Sequence, residues 1–507
     1  MLKQTGSDHK RLRILIASAE AEPWSKTGGL GDVTTALSKS LSYLGHEVAL
    51  IVPYYRQTEF ARNHTDQILD TEVSFEVPVG ERRIVGQVYR AGVSGTQVKV
   101  WLVNQQDYFD RPDLYGDSEG DYRDNCERFV FFSRAVLEVA RHFSIKPDLI
   151  HVNDWQTGLI PALLQTEYRG TPGFENTASV FTIHNLAFQG RFTRSDMDLT
   201  GLDWKYFNWR QMESDGQLNL LKTGISFCNQ ITTVSPTYAK EIQTEETGCG
   251  LHALLHHRSD ELTGILNGID GDQWNPSSDK FIPENYGTQD FSTQKLLCKS
   301  ELQKKMGLSR KPQVPLFGMV SRLTDQKGCD LIVAQAQQFL QRDLQLVFLG
   351  AGEERYEQAL RDLARHHPGK VATCIGFDER LAHEIEAGSD FYLMPSQYEP
   401  CGLNQMYSLA YGTIPLVRAT GGLADSVVDT SPETLKNGTA TGIVFTDYDS
   451  NQFLTAVDRC LELYQATESC QQVIKTGMKQ DFSWEKSAAK YLSVYRKAIE
   501  CPLPKPS

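Results

Sequence analysis

Arg13-Ile-Leu-Ile-Ala-Ser18 is a short apolar run, and eight residues later the chain reads Lys26-Thr-Gly-Gly-Leu-Gly-Asp32. From Asp32 onward the apolar residues Val33, Leu37, Leu41 and Leu44 recur at helical spacing, and Glu47-Val-Ala-Leu-Ile-Val52 follows Gly45 as a second apolar run. Four or five apolar residues bounded by turn residues suit a buried strand, and the 3.6-residue period suits an amphipathic helix. Together they predict strand, glycine loop, helix from near Asp32, and strand: a βαβ unit that opens a parallel sheet.

Working outward, similar apolar runs stand at 98–103, 149–152, 179–183 and 231–234, which predicts one α/β domain over roughly residues 10 to 260. Ile265-Leu-Asn-Gly-Ile-Asp270, Trp274-Asn-Pro276 and a polar stretch to about residue 292 read as a crossing between domains. Further runs at 314–320, 344–349, 372–375, 391–394, 414–417 and 442–445 predict a second α/β domain, and the spacing of Trp484, Ala488, Tyr491, Leu492 and Tyr495 predicts a closing helix. The expected division is 1–262, 270–484 and a helical tail over 485–507.

The chain has 507 residues, 40% hydrophobic and 23% charged, about three times a modal domain and able to bury sizeable cores. A lone binding module and a disordered chain are both excluded. Net charge is −13 without a block of like charges, which argues against wrapping a polyanion such as nucleic acid. The ten cysteines show no CxxC spacing, so neither a zinc site nor a disulfide scaffold is expected. No long apolar segment or signal-like start stands out, and the expectation is a soluble, cytoplasmic protein with no membrane partner.

Thr27-Gly-Gly-Leu-Gly-Asp32 returns in the second half as Thr420-Gly-Gly-Leu-Ala-Asp425. In both places an apolar run precedes it and a helix is expected at the Asp, so both read as βα turns whose amides can accept anions or sugar hydroxyls. Gly-Gly as mere turn chemistry is the plainer alternative. Lys26 precedes the glycines, so the loop is not a P-loop. Ser321-Arg-Leu-Thr-Asp-Gln-Lys-Gly328 places Arg322 and Lys327 in one loop after a strand, a planar fork and a point charge suited to a diphosphate. Glu399-Pro-Cys-Gly-Leu403 follows another strand, with a carboxylate and the amides of Cys401, Gly402 and Leu403 at its end. Cys401 itself reads as a small packed residue rather than a nucleophile. His151-Val-Asn-Asp-Trp-Gln156 and Thr182-Ile-His-Asn185 put Asp154 and His184 at two further strand ends. Gly350-Ala-Gly-Glu-Glu-Arg355 lacks the third glycine of a dinucleotide fingerprint, and Asp270-Gly-Asp272 reads as turn chemistry rather than a metal motif.

Taken in order, these motifs resemble those of the bacterial glycogen synthases and plant starch synthases, the glucan synthases of glycosyltransferase family five, over nearly the whole chain. Two positions depart from the family pattern: Asn153, usually His, and Phe188, usually Tyr. The resemblance implies the GT-B fold, an α/β architecture of two Rossmann-like doubly wound domains facing each other across a deep cleft, with a C-terminal helix returning to the N-terminal domain. It implies retaining transfer of glucose from ADP-glucose, or alternatively UDP-glucose, to the 4-hydroxyl at the non-reducing end of an α-1,4-glucan such as glycogen or a maltooligosaccharide, with no metal and no cofactor. By matching position, Lys26, Arg322 and Lys327 bind the diphosphate. Glu399 and the amides of Cys401, Gly402 and Leu403 hold the glucosyl unit, with His184, Asp154 and Asn267 around it and Phe377 on the base. Thr27, Gly28, Gly29 and Asp32, and Thr420, Gly421 and Gly422, supply the two glycine loops. The rivals are a sucrose- or trehalose-forming GT-B transferase, a glucan phosphorylase, for which no pyridoxal-phosphate lysine is indicated, and a non-catalytic glucan-binding protein, which has no use for leaving-group cations.

Overall fold

The computed structural model describes residues 10–64, 67–117 and 119–501; the ends of the expected first domain (1–9) and tail (502–507) lie outside the described residues. The chain divides into two compact units. The first holds the residues up to Val234, Ala239–Ile265 and the segment from Trp484 onward, and the second holds Ser235–Tyr238 and Leu266–Ser483.

The first unit is built on a nine-stranded sheet. Its strands are β1 (Arg13–Ala17), β2 (Glu47–Pro53), β3 (Leu69–Val79), β4 (Arg82–Gly92), β5 (Lys99–Asn104), β6 (Leu149–Asn153), β7 (Ala178–Ile183), β8 (Gln230–Thr233) and β9 (Leu262–Gly264), in the spatial order 9-8-7-6-1-2-5-4-3. Seven strands run parallel, and β1, β6, β7 and β8 are buried almost throughout, which is why they read as unbroken apolar runs rather than as alternating ones. β3 and β4 form an antiparallel hairpin that extends the sheet beyond β5, and sequence reading passed over it. Its signal is Val73, Phe75, Val77 and Val79 at a period of two, ahead of Gly80 at φ 59°.

The second unit carries β10 (Leu316–Val320), β11 (Gln345–Gly350), β12 (Val371–Ile375), β13 (Phe391–Met394), β14 (Ile414–Arg418) and β15 (Ile443–Phe445). All pairs are parallel, in the order 12-11-10-13-14-15. Counted within the unit this is 3-2-1-4-5-6, the Rossmann order, whose direction of winding reverses between β10 and β13. In the first unit the corresponding reversal lies between β1 and β6, since β1 pairs with β2 on one side and β6 on the other.

The closing helix, Trp484–Glu500, belongs to the first unit. Trp484, Ala488, Tyr491, Leu492, Tyr495 and Ala498 are buried in the same core as Ile14, Leu50 and Val180. The Tyr495 hydroxyl lies 2.8 Å from His151 Nδ1, and His151 Nε2 lies 2.5 Å from Thr182 Oγ1, itself 2.5 Å from Thr232 Oγ1. Burial holds His151 neutral, with its pKa lowered to about 3. This polar chain through the sheet is therefore closed by a residue 344 positions away in sequence. Tyr495→Phe should cost about 1–3 kcal/mol by leaving a buried ring nitrogen short of a partner, and Tyr495→Ala about 3–5 kcal/mol by also opening a cavity. Urea unfolding followed by tryptophan fluorescence checks this, and unchanged midpoints for both variants would show that the helix contributes nothing to the first unit.

Candidate functional site

In a doubly wound sheet, ligands bind beyond the carboxyl ends of the strands where the winding reverses. In the second unit the loop after β10 carries Arg322 and Lys327, and the loop after β13 carries Glu399. Lys327 Nζ lies 2.6 Å from Glu399 Oε2, with side-chain exposures of 18% and 6%. The Ser396 hydroxyl donates to the same oxygen at 3.1 Å. Gly328, at φ 75°, lets the β10 loop turn against Pro395, whose carbonyl oxygen would stand 2.2 Å from any added Cβ. Gln397 N–H donates to the Gln326 carbonyl at 2.9 Å, so the two loops are also joined through their backbones. Arg322 is exposed, its Nη2 donating to Gln326 Oε1 at 3.3 Å. The arrangement pairs a nearly buried carboxylate with one cation and leaves a second cation at the rim.

The second glycine loop sits directly behind this pair. Gly421 and Gly422 have no room for a side chain: an added Cβ would lie 2.0 Å from the Glu399 carbonyl and 2.0 Å from the Cys401 carbonyl. Gly422 N–H donates to the Glu399 carbonyl at 3.1 Å. These two glycines thus shape the turn that aims Glu399. Thr420 and Cys401 are buried, Gly402 is at φ 69°, and Leu403 caps the helix Asn404–Ala410. Burial pushes the Cys401 thiol up to about 12, as befits a packed residue, and Asn267 donates to it from both backbone and side chain. The Asn267 Oδ1 is buried without a protein partner, an acceptor held ready beside the turn. Phe377, after β12, is 90% exposed on a loop that begins with Gly376 at φ 129°.

The first unit gathers its candidates in the same way. Asp154 directly follows β6 at φ 54° and ψ −177°, a conformation costly for any residue but glycine. It is held there by its N–H to the Thr182 carbonyl at 3.0 Å and by its Oδ1, which accepts the His184 N–H at 2.8 Å. Burial raises the Asp154 pKa to about 7 against the opposing pull of the His184 and Asn185 amides. Burial also lowers His184 to about 3, so the ring is neutral. Its Nε2 lies 2.9 Å from Asn153 Oδ1, and Asn153 Nδ2 donates to the Ala17 carbonyl at 3.0 Å, which turns Oδ1 toward the ring. Nε2 therefore carries the proton and Nδ1 is the acceptor nitrogen. Asn153, one of the two departures, is thus the partner that sets the His184 tautomer. The other, Phe188, is exposed.

The first glycine loop differs from its twin. Its helix begins at Gly29 with Gly28 as N-cap and runs to Tyr43, whereas the second begins at Gly421 with Thr420 as N-cap and ends at Ser426. Neither starts at the Asp, as the sequence suggested; the glycines already take the helical turn. Around Gly28 there is open space, but the Thr27 and Gly28 amides do not face it, because both donate to Glu20. Lys26 Nζ lies 2.6 Å from Asp32 Oδ1, both partly exposed. Glu20, Asn153 and Ser396 take part in these arrangements without having been singled out as site residues in the sequence. For Glu20 the sequence offered no local signal, since Glu22 is a second carboxylate in the same strand-to-loop turn. Asp270 and Asp272 form a turn, with Asp272 N–H donating to Asp270 Oδ1 at 2.9 Å. Among the described residues no group of three or more His, Cys, Asp and Glu side chains is placed to hold a metal, and no helix is long and apolar enough to cross a membrane.

Comparison with known proteins accords with this layout. Residues 13–257 match the family model described as the starch synthase catalytic domain, and 301–480 match that of the group 1 glycosyl transferases. A glycogen synthase of an Anaeromyxobacter species is 45% identical over 96% of this chain and 99% of its own, and that of Syntrophotalea carbinolica is 43% identical with the same coverage. Among solved structures, the catalytic domain of starch synthase IV from Arabidopsis thaliana, bound to ADP and acarbose, aligns with a TM-score of 0.89 at 33% identity, covering 97% of this chain and 100% of that one. A sucrose-phosphate synthase from Thermosynechococcus elongatus aligns at 0.59 with 17% identity over 96% and 98%, a likeness of fold alone. With two Rossmann-like sheets of the GT-B α/β class and near-full-length relatives at this level of identity, the chain belongs to the glycogen and starch synthases, a family of glycosyltransferases.

Proposed function

We propose that the chain elongates an α-1,4-glucan by transferring glucose from ADP-glucose to the 4-hydroxyl at the non-reducing end with retention of configuration, and that it needs neither a metal nor a cofactor. The observation that carries this reading is the Lys327–Glu399 pair with Arg322 beside it at the winding reversal of the second unit. Breaking a glycosyl–phosphate bond places positive charge on the sugar and negative charge on the departing diphosphate. Fixed cations on the diphosphate and a fixed carboxylate near the sugar stabilise both ends of that separation, and preorganised charge in a water-poor site is the strongest such term. Arg322 and Lys327, with Lys26 of the first unit, are assigned to the diphosphate. Glu399, Asn267 and the amides after Glu399 are assigned to the glucosyl unit, His184 and Asp154 to its other hydroxyls, and Phe377 to the base. The structure of the Arabidopsis relative with ADP, the nucleotide that transfer from ADP-glucose releases, supports this donor.

Retention is assigned to attack from the face the diphosphate leaves, with a diphosphate oxygen taking the acceptor proton. A double displacement needs a second carboxylate, and Tyr407, eight residues after Glu399, instead lies stacked on Trp274 at 3.8 Å. Neutral His184, with Nδ1 as acceptor, can take a hydrogen bond from a sugar hydroxyl without adding charge beside the developing cation.

A transfer assay with radiolabelled ADP-glucose and UDP-glucose on glycogen, with and without chelator, tests the whole reading. Label should enter glycogen from ADP-glucose faster than from UDP-glucose, at a rate unchanged by excess chelator. Transfer only from UDP-glucose reassigns the donor, and loss of transfer on chelation, restored by Mg²⁺ or Mn²⁺, ends the metal-free reading.

Lys327→Gln should lower kcat about a hundredfold or more, on the order of 3 kcal/mol, while the donor KM rises much less, because the lost charge meets negative charge that grows as the diphosphate leaves. Because its partner in the ion pair is a 6% exposed carboxylate, the variant strands Glu399 and should also melt earlier. An unchanged kcat with only a raised KM assigns Lys327 to ground-state binding.

Asp154 gives a pH test. Its folded pKa, about 7, lies above the unfolded value of 3.8. Between these values only the unfolded chain loses the proton, so the group destabilises the fold progressively as pH rises from about 4 and fully above about 7. Asp154→Asn keeps an acceptor for the His184 amide and bears a backbone cost at this φ and ψ similar to that of Asp. It should match the wild-type Tm at pH 4 and exceed it by about 5 °C at pH 8.5. Equal Tm values at both pH values would show that Asp154 carries no such penalty.

A further inference from the structure

Between β1 and the helix Gly29–Tyr43 the chain folds around one buried carboxylate that the transfer scheme leaves without a role. Glu20 is 3% exposed. Its Oε2 accepts the Thr27 N–H at 2.7 Å, and its Oε1 accepts the Thr27 hydroxyl and the Tyr115 hydroxyl, each at 2.7 Å. The Gly28 N–H donates to the same carboxylate. The rest of the loop closes around these bonds. Glu20 N–H donates to Ser18 Oγ at 3.2 Å, Ser25 N–H to the Ala21 carbonyl at 2.9 Å, and Glu22 N–H to the Gly31 carbonyl at 3.2 Å.

Four donors converge on an acceptor-only group, and two of them are the last backbone amides before the helix begins. A buried charge needs such a set of partners to be tolerated at all. What the set does is fix the peptide planes at Thr27 and Gly28, and with them the backbone that carries Lys26 on one side and the open space around Gly28 on the other. We propose that Glu20 is a positioning residue for glucosyl transfer, acting through the Thr27 and Gly28 amides on Lys26. The proposal rests on the transfer reading above, since Lys26 matters to the rate only if a diphosphate leaves. A carboxylate that merely staples the loop would affect stability alone.

The test uses the full-length chain and the variants Glu20→Gln, Lys26→Gln and their combination. Gln keeps the size of the side chain but turns an NH₂ toward donors. Glu20→Gln should lower kcat at least tenfold with the ADP-glucose KM changed less than threefold. The double variant should be no slower than the slower single one, because both changes remove the same interaction. Multiplying effects, or an unchanged kcat, overturn the proposal. Hydrogen exchange read on peptides spanning 26–31 should speed at Thr27 and Gly28 in Glu20→Gln and stay unchanged in the remainder of the first unit. If the wild-type chain transfers no glucose, the transfer reading fails; the loop geometry is then judged by exchange alone, where unchanged protection at Thr27 and Gly28 overturns the positioning role. Should Glu20→Gln not fold, Thr27→Val removes a single hydroxyl bond to Glu20. It should lower kcat threefold or more and show the same non-additivity with Lys26→Gln, and full activity in Thr27→Val refutes the proposal.

Discussion

Where the winding of a parallel sheet reverses, the loops leaving two neighbouring strands pass to opposite faces, and the strand ends between them stay uncovered. Both units are arranged around that constraint. In the first it lies between β1 and β6, and the loops there carry Glu20 with the first glycine loop, and Asp154, which accepts the His184 amide. In the second it lies between β10 and β13, where Lys327 meets Glu399. The catalytic chemistry assigned to the chain is therefore confined to these places by topology before any side chain is chosen.

Charge at both places is handled by fixed partners rather than by water. Glu399 has Lys327 and the Ser396 hydroxyl. Glu20 has two amides and two hydroxyls, and Asp154 has two amides, which only partly offset the burial that raises its pKa. His184 and His151, a strand apart, are both held neutral by burial, one pointing its proton at Asn153 and the other tied to Tyr495. A site meant to separate charge in a substrate gains from surroundings whose own charges do not shift during the reaction. Neutral histidines and the Glu399 carboxylate held by Lys327 have that property, whereas Asp154, with its pKa raised to about 7, does not.

Much of this was legible in the sequence. Parallel strands buried on both faces leave unbroken apolar runs, so β1, β2, β6, β7 and β8 and the second set from β10 to β15 could be read one by one, and motifs standing just after them fell at strand ends. The β3–β4 hairpin escaped because one of its faces is partly exposed and its alternating pattern is weaker than an apolar run. Glu20 escaped because nothing local distinguishes a carboxylate that accepts four hydrogen bonds from one that faces solvent; its partners Thr27 and Tyr115 stand 7 and 95 residues away. The tie between Asn153 and His184 was hidden for the same reason, being made across two strands.

The twin glycine loops show why an identical hexapeptide pattern does not carry one meaning. Gly421 and Gly422 are glycines because the Glu399 and Cys401 carbonyls occupy the space of a side chain, so in the second unit the pair exists for close backbone packing around the turn that carries Glu399. Gly28 has no neighbour within 4 Å of where a side chain would begin, so the same steric argument is unavailable there. Its backbone is extended, at φ −163°, which any residue adopts, so conformation does not demand glycine either. Gly28 is instead the N-cap of the helix that follows, a place glycine suits, and its amide is one of the four donors to Glu20. The two loops thus share a pattern while one is shaped by carbonyls that crowd its glycines and the other by a carboxylate that takes its amides.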